Sequence, residues 1–123
     1  MLKSYRELLV WQKAINLVVD SYRATAGFPK FETYGLMSQI RRAATSIPAN
    51  IAEGYGRGSR KEYSQFLMVA QGSLKELETH LIVAEKLAYL TKSQTERLLS
   101  STDELGRMGT LIRKLKPSPF PKP

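Results

Sequence analysis

Apolar residues recur at steps of three and four along nearly the whole chain, and no segment shows the strict alternation of a half-buried strand. That period confines the chain to an all-α fold. In the first segment Leu8, Trp11, Ile15, Val18 and Tyr22 align as one apolar face over about four turns. Gly27 and Pro29 stop this helix, and the two phenylalanines of the connector, Phe28 and Phe31, are expected to fold back onto the core.

A second helix is expected over residues 34–55, burying Leu36, Ile40, Ala43, Ile47 and Ile51. Pro48 stands inside it. A proline there cannot donate to the carbonyl of Ala44 and crowds that turn, which predicts a kink near Pro48, with Thr45 or Ser46 available to the freed backbone groups. A full break into two helices is the alternative.

Gly54-Tyr55-Gly56-Arg57-Gly58 ends the second helix, and Ser59 with Glu62 forms a capping box for a third. Its seam runs through Tyr63, Phe66, Ala70, Leu74, Leu77, Leu81, Ala84 and Ala88. Gly72 and Ser73 have poor helix propensity at mid-helix, which predicts close approach of a neighbouring helix. Thr91 with Gln94 caps a fourth helix that turns Leu98, Leu105, Met108, Ile112 and Leu115 inward. Short connectors make neighbours antiparallel, so the architecture is an antiparallel up-down-up-down four-helix bundle. A single bundle domain over residues 1–116 is followed by a proline-rich, extended tail over 117–123.

Composition then excludes chemistry. The 123 residues include no cysteine and one histidine, which removes thiolate catalysis and thiolate metal sites. A di-iron bundle needs two Glu-x-x-His elements, and His80 has no glutamate three positions upstream. Glu76 and His80 read as an ordinary helix-surface pair. Neither a metal nor a cofactor is expected, and the chain reads as a non-enzyme. Gln12, Lys13, Asn16 and Asp20 interrupt the most apolar stretch, so no membrane span or signal peptide is expected and the chain reads as cytoplasmic.

Charge is the positive signal. The formal net charge is +8. Residues 41–61 carry Arg41, Arg42, Arg57, Arg60 and Lys61 against Glu53 alone. Residues 105–123 carry Arg107, Arg113, Lys114, Lys116 and Lys122 with no acid. Such patches favour a polyanion, with strongly salt-dependent affinity. The candidate phosphate contacts are Arg41, Arg42, Arg57, Arg60, Lys61, Arg113, Lys114 and Lys116. The glycine-rich run before Lys61 is also compatible with a plain helix–helix turn bearing solvated charges, since it lacks the strand and Gly-Lys-Ser/Thr order of a nucleotide-binding loop. On the second helix Gln39, Arg42, Ser46, Asn50, Glu53 and Arg57 form one polar stripe. It is a solvated face, a subunit interface, the lining of a shared channel, or a hydrogen-bond network beside the core.

The segments Val10-Trp11-Gln12-Lys13-Ala14, Glu32-Thr33-Tyr34-Gly35-Leu36, Gln39-Ile40-Arg41-Arg42-Ala43, Ser46-Ile47-Pro48-Ala49-Asn50-Ile51-Ala52-Glu53-Gly54 and Ala70-Gln71-Gly72-Ser73-Leu74 resemble the 23S ribosomal RNA intervening-sequence proteins. The resemblance covers nearly the whole chain outside the proline tail. That family is similar to the accessory variability proteins of diversity-generating retroelements, which are barrel-shaped homopentamers that bind nucleic acid and a reverse transcriptase. The resemblance implies a ring-shaped homo-oligomer, a pentamer, acting on nucleic acid, RNA ahead of DNA. It also sharpens the stripe residues Gln39, Arg42, Ser46, Asn50 and Glu53 toward an interface or pore. The alternative is a protein-interaction scaffold that recruits a partner such as a polymerase or reverse transcriptase.

Overall fold

The computed structural model describes residues 4–114; Leu115, Lys116 and the proline-rich segment 117–123 lie outside the described residues. Four helices form: α1 (Leu9–Thr25), α2 (Leu36–Gly56), α3 (Arg60–Lys86) and α4 (Lys92–Lys114). Short 3-10 turns at Tyr5–Glu7 and Lys30–Glu32 precede α1 and α2, and no strand occurs among the described residues. Each helix packs on its chain neighbours, and α1 packs on α4 to close the bundle. Cross-helix bonds fix the direction of α3 against α4: Arg60 meets Arg113, Gln71 meets Gly106 and Thr110, and Glu78 meets Thr102. Numbers rise on one helix as they fall on the other, as antiparallel packing requires.

Side-chain caps start three of the four helices, α2, α3 and α4. Ser59 Oγ accepts the Glu62 N–H at 3.2 Å at the start of α3. At α4 both halves of the capping box are made, Gln94 N–H to Thr91 Oγ1 at 3.1 Å and Thr91 N–H to Gln94 Oε1 at 2.8 Å. The start of α2 is capped by Glu32, whose Oε1 accepts the Leu36 N–H at 3.0 Å and places a negative charge at the positive end of the helix. Gly35 makes room for that carboxylate, because a Cβ there would stand 2.5 Å from the same oxygen. The other oxygen, Oε2, accepts the Tyr89 hydroxyl at 3.0 Å and so ties the α1–α2 connector to the α3–α4 connector.

Leu17, Ile40, Ile47, Ile51, Leu67, Leu77 and Leu81 are fully buried at the centre of the bundle. Several expectations are corrected. The buried line of α1 is Val10, Ala14, Leu17, Ser21 and Thr25, not the larger residues of the expected face. Small side chains let α1 approach its neighbours, while Leu8, Trp11 and Val18 pack from the flank and Tyr22 is exposed. Thr25 keeps its buried hydroxyl satisfied by donating to the Ser21 carbonyl at 2.9 Å. On α3, Leu67 takes the buried position expected of Phe66.

Ala88 lies past the end of α3, exposed and in the left-handed region at φ 63°. Phe28 folds inward at 6% exposure, but Phe31 is 79% exposed. Of the two residues expected to admit a neighbouring helix, Ser73 does so, its Oγ 2.8 Å from Ser46 Oγ on α2, whereas a Cβ on Gly72 would meet nothing within 4 Å among the described residues. The α2 helix runs unbroken through Pro48, so the break is not realised. Thr45 donates instead to the carbonyls of Arg41 and Arg42, at 2.9 and 3.2 Å, and Ser46 turns out of the helix toward α3.

Candidate nucleic-acid interface

Antiparallel packing places the end of α2, the start of α3 and the end of α4 at one end of the bundle. Gly54 permits this convergence and Gly58, at φ 79°, turns the chain. Arg57 extends from the turn with its guanidinium 5.2 Å over the Phe66 ring and 4.0 Å from the Glu53 carboxylate. Both ends of that ion pair are half exposed, so it contributes little and leaves the arginine available to solvent.

Arg60 and Arg113 interlock the two helices. Arg60 Nη2 donates to the Arg113 carbonyl at 2.9 Å, at the negative end of α4, and Arg113 Nε donates to Ser64 Oγ at 3.2 Å. Lys61 and Lys114 follow with exposed ammonium groups. The structure thus brings together Arg57, Arg60, Lys61, Arg113 and Lys114, which the sequence holds in two segments about fifty residues apart. Lys116 lies outside the described residues. Arg6, exposed in a turn that packs on α1 and α2, escapes a reading of sequence because it lies outside both charge-rich segments.

Arg41 and Arg42 do not join this end. They stand fifteen or more residues up α2 from Arg57, about 22 Å along the axis. Arg41 is a clamp between helices: Nε donates to Thr25 Oγ1 at 2.9 Å, Nη2 to the Tyr22 carbonyl at 3.2 Å, and the guanidinium stacks 4.4 Å from the Tyr22 ring centre. Two of its five donors are spent on the last turn of α1.

Arg42 lies in a cleft of about 390 Å³ between α2 and α3, with Gln39, Ala43, Ser46, Ser73 and Glu76. The polar stripe therefore follows the outer α2–α3 seam. Its middle is a network within the chain: Ser46 Oγ pairs with Ser73 Oγ at 2.8 Å, and Asn50 Nδ2 donates to the Ser46 carbonyl at 2.7 Å and to Ser46 Oγ at 3.0 Å. Gln39, Arg42 and Glu53 are exposed along the same line.

A second cleft, of about 600 Å³, runs between α3 and α4 over Gln71, Gly72, Leu74, Gly106 and Leu111. Gly72 and Gly106 leave its floor open. His80 Nε2 lies 3.6 Å from Glu76 Oε1 as an i,i+4 pair. Among the described residues no group of three or more His, Cys, Asp or Glu could hold a metal ion, and no helix is long and apolar enough to cross a membrane.

Known proteins give the same picture of the fold. The family model described as 23S rRNA-intervening sequence protein matches residues 6–110. A solved structure from Bacteroides thetaiotaomicron, described as a protein with unknown function from the S23 ribosomal protein family, is similar with a TM-score of 0.77 and 25% identity. The match covers 87% of this chain and 100% of that one. Among curated proteins, none matches.

Proposed function

The chain belongs to the 23S rRNA-intervening sequence protein family, and from that premise we propose that it is a cytoplasmic, non-enzymatic protein that binds nucleic acid, RNA ahead of DNA, through phosphate contacts at its basic end. The observation that carries this reading is the convergence of Arg57, Arg60, Lys61, Arg113 and Lys114 on one end of the bundle. Clustered cations release counterions from a phosphate backbone, and that release drives binding without sequence preference. The protein acts as a homo-oligomer, a ring of five by its resemblance to the accessory variability proteins, with Gln39, Arg42 and Glu53 on the exposed stripe as its contact residues. A ring repeats the basic end around its rim.

Titration with single-stranded RNA, duplex RNA and duplex DNA at two salt concentrations tests the reading. Replacing Arg57, Lys61 and Lys114 together by Gln lowers the salt slope by about 0.7 for each phosphate that is no longer neutralised on a single strand. Absence of binding by the wild-type chain at low salt sinks it. The open cleft between α3 and α4 favours a second reading, a scaffold that seats a partner such as a polymerase on this largely apolar surface. A partner retained in pull-down after nuclease digestion supports the scaffold; a partner released by digestion supports the first reading.

A further inference from the structure

The end of the bundle opposite the basic cluster carries two aromatic rings that the fold does not bury. Phe31 is 79% exposed and Tyr34 is 97% exposed. Single exposed apolar residues need no explanation, but these two share one short turn that the structure holds rigid. Three i to i+3 bonds, Glu32 N–H to Pro29 O, Thr33 N–H to Lys30 O and Gly35 N–H to Glu32 O, wind residues 29–35 tightly. Phe31 stands inside the 3-10 turn Lys30–Glu32 and Tyr34 three residues on, just past it, so both exposed rings leave the same connector.

The turn is pinned from three directions. Thr33 Oγ1 donates to the Lys30 carbonyl at 2.7 Å, the two Glu32 oxygens are taken by Leu36 and Tyr89, and the Tyr89 ring meets Phe31 edge-on at 6.5 Å. The Glu32 carboxylate is directed to the start of α2 and to the Tyr89 hydroxyl. Lys30 on the turn and Arg23 in the last turn of α1 are exposed cations.

We infer that the Phe31 and Tyr34 turn is a stacking platform for unpaired bases, and that the nucleic acid this protein takes is single-stranded. Rigid rings flanked by cations are what single-strand binding uses: bases stack on the rings while the cations follow the backbone. A duplex offers neither ring an exposed base face. Preorganisation matters for Phe31, whose ring already meets the Tyr89 ring that Glu32 anchors and so loses less freedom when a base lands on it. The inference rests on the nucleic-acid reading above and adds the strandedness of the ligand and a second contact region.

Fluorescence anisotropy with oligoadenylate, oligouridylate and an RNA duplex of equal length tests it on the full chain. Phe31→Ala and Tyr34→Ala are each expected to weaken oligoadenylate binding roughly 5- to 150-fold. The wild type is expected to bind oligoadenylate more tightly than the duplex, and equal affinity for the two overturns the inference; the Ala variants leave the weaker duplex affinity and the salt slope unchanged. Phe31→Leu and Tyr34→Leu, which keep bulk and lose the aromatic face, weaken binding equally, and Tyr34→Phe restores it. If the Ala variants bind oligoadenylate like the wild type while the Arg57, Lys61 and Lys114 variant binds weakly, the platform is overturned and the phosphate reading stands. If the wild type binds none of the three probes, both fall. If the Ala variants lose self-association in sedimentation and keep RNA affinity, the rings are a protein contact and the platform is overturned.

Discussion

Gly54 on α2 faces Phe66 on α3 so closely that a Cβ at position 54 would lie 2.5 Å from the Phe66 Cβ. The Tyr63 Cα is 3.4 Å from the same point. This packing sets how near the end of α2 comes to the start of α3, and hence where the basic turn sits. Phe66 also lies under the Arg57 guanidinium, so one residue fixes both helix spacing and the placement of a candidate phosphate contact.

Gly54→Ala is therefore expected to destabilise the protein although alanine is the better helix former. The clash is with a Cβ next to the backbone, not the far end of a flexible chain, and overpacking of that kind costs about 1–3 kcal/mol. It outweighs the roughly 1 kcal/mol gained in propensity. Gly72→Ala meets nothing and gains about 0.5–1 kcal/mol. Urea denaturation of the two variants should shift the midpoint in opposite directions.

The Glu32 carboxylate both caps α2 and accepts the Tyr89 hydroxyl. Glu32→Ala removes the cap and the tie together and should cost about 1–2 kcal/mol. Tyr89→Phe removes the tie alone and should cost about 0.5–1.5 kcal/mol. In a double-mutant cycle the two losses should be less than additive. Strict additivity would mean that the connectors are not coupled through this bond.

What is legible in the sequence is what local spacing encodes. Ser59 with Glu62 and Thr91 with Gln94 sit three apart, so their caps can be read directly, and the α3 seam follows from large apolar residues at helical steps. The face of α1 escapes hydropathy because Ala14, Ser21 and Thr25, which define its packing line, contribute little to it. Arg41 groups with the phosphate contacts in sequence because its charge is visible there, while Thr25, sixteen residues away, that engages it is not. The convergence of Arg60 with Arg113 across 53 residues follows only once the antiparallel order of the helices is known. Phe31 depends on whether its connector turns inward, and only Phe28 does so.

Tyr63 provides a pH test of the α2–α3 packing. Burial, with a smaller contribution from Tyr55, pushes its phenol up to about 12 from an ordinary value of 10.0. Below pH 10 the group is neutral in folded and unfolded chains, and the stability is fully present. Between pH 10 and about 12 the unfolded chain releases its proton first, so stability falls as pH rises. After solvent screening the loss should be about 1–2 kcal/mol. Chemical denaturation at pH 8 and pH 11 should show a steeper fall for wild type than for Tyr63→Phe; equal falls would place the ionisation elsewhere.

Asn50 and Glu53 share the polar stripe but should respond differently to removal. The Asn50 amide bonds Ser46 within the half-buried network, so Asn50→Ala should cost about 0.5–1.5 kcal/mol of protomer stability. Glu53 is exposed and only 4.0 Å from Arg57, so Glu53→Ala should leave the protomer intact and weaken assembly. Sedimentation alongside thermal melts separates the two effects. An unchanged oligomer for Glu53→Ala counts against the stripe as an interface.

Within the basic end, Arg60 and Lys61 are neighbours with different duties. Arg60 Nη2 holds the last turn of α4 through the Arg113 carbonyl, and that donor cannot serve a phosphate at the same time. Lys61 is exposed. Arg60→Ala should therefore lower stability by about 1–2 kcal/mol, through the missing charge-assisted bond and the cation at the helix end, and also weaken RNA binding. Lys61→Ala should leave the melting temperature within about 1 °C, as expected of a surface substitution, and lower the salt slope by about 0.7. If both variants keep the wild-type salt slope, the phosphate backbone does not lie against this end, and its binding surface must be sought elsewhere on the bundle.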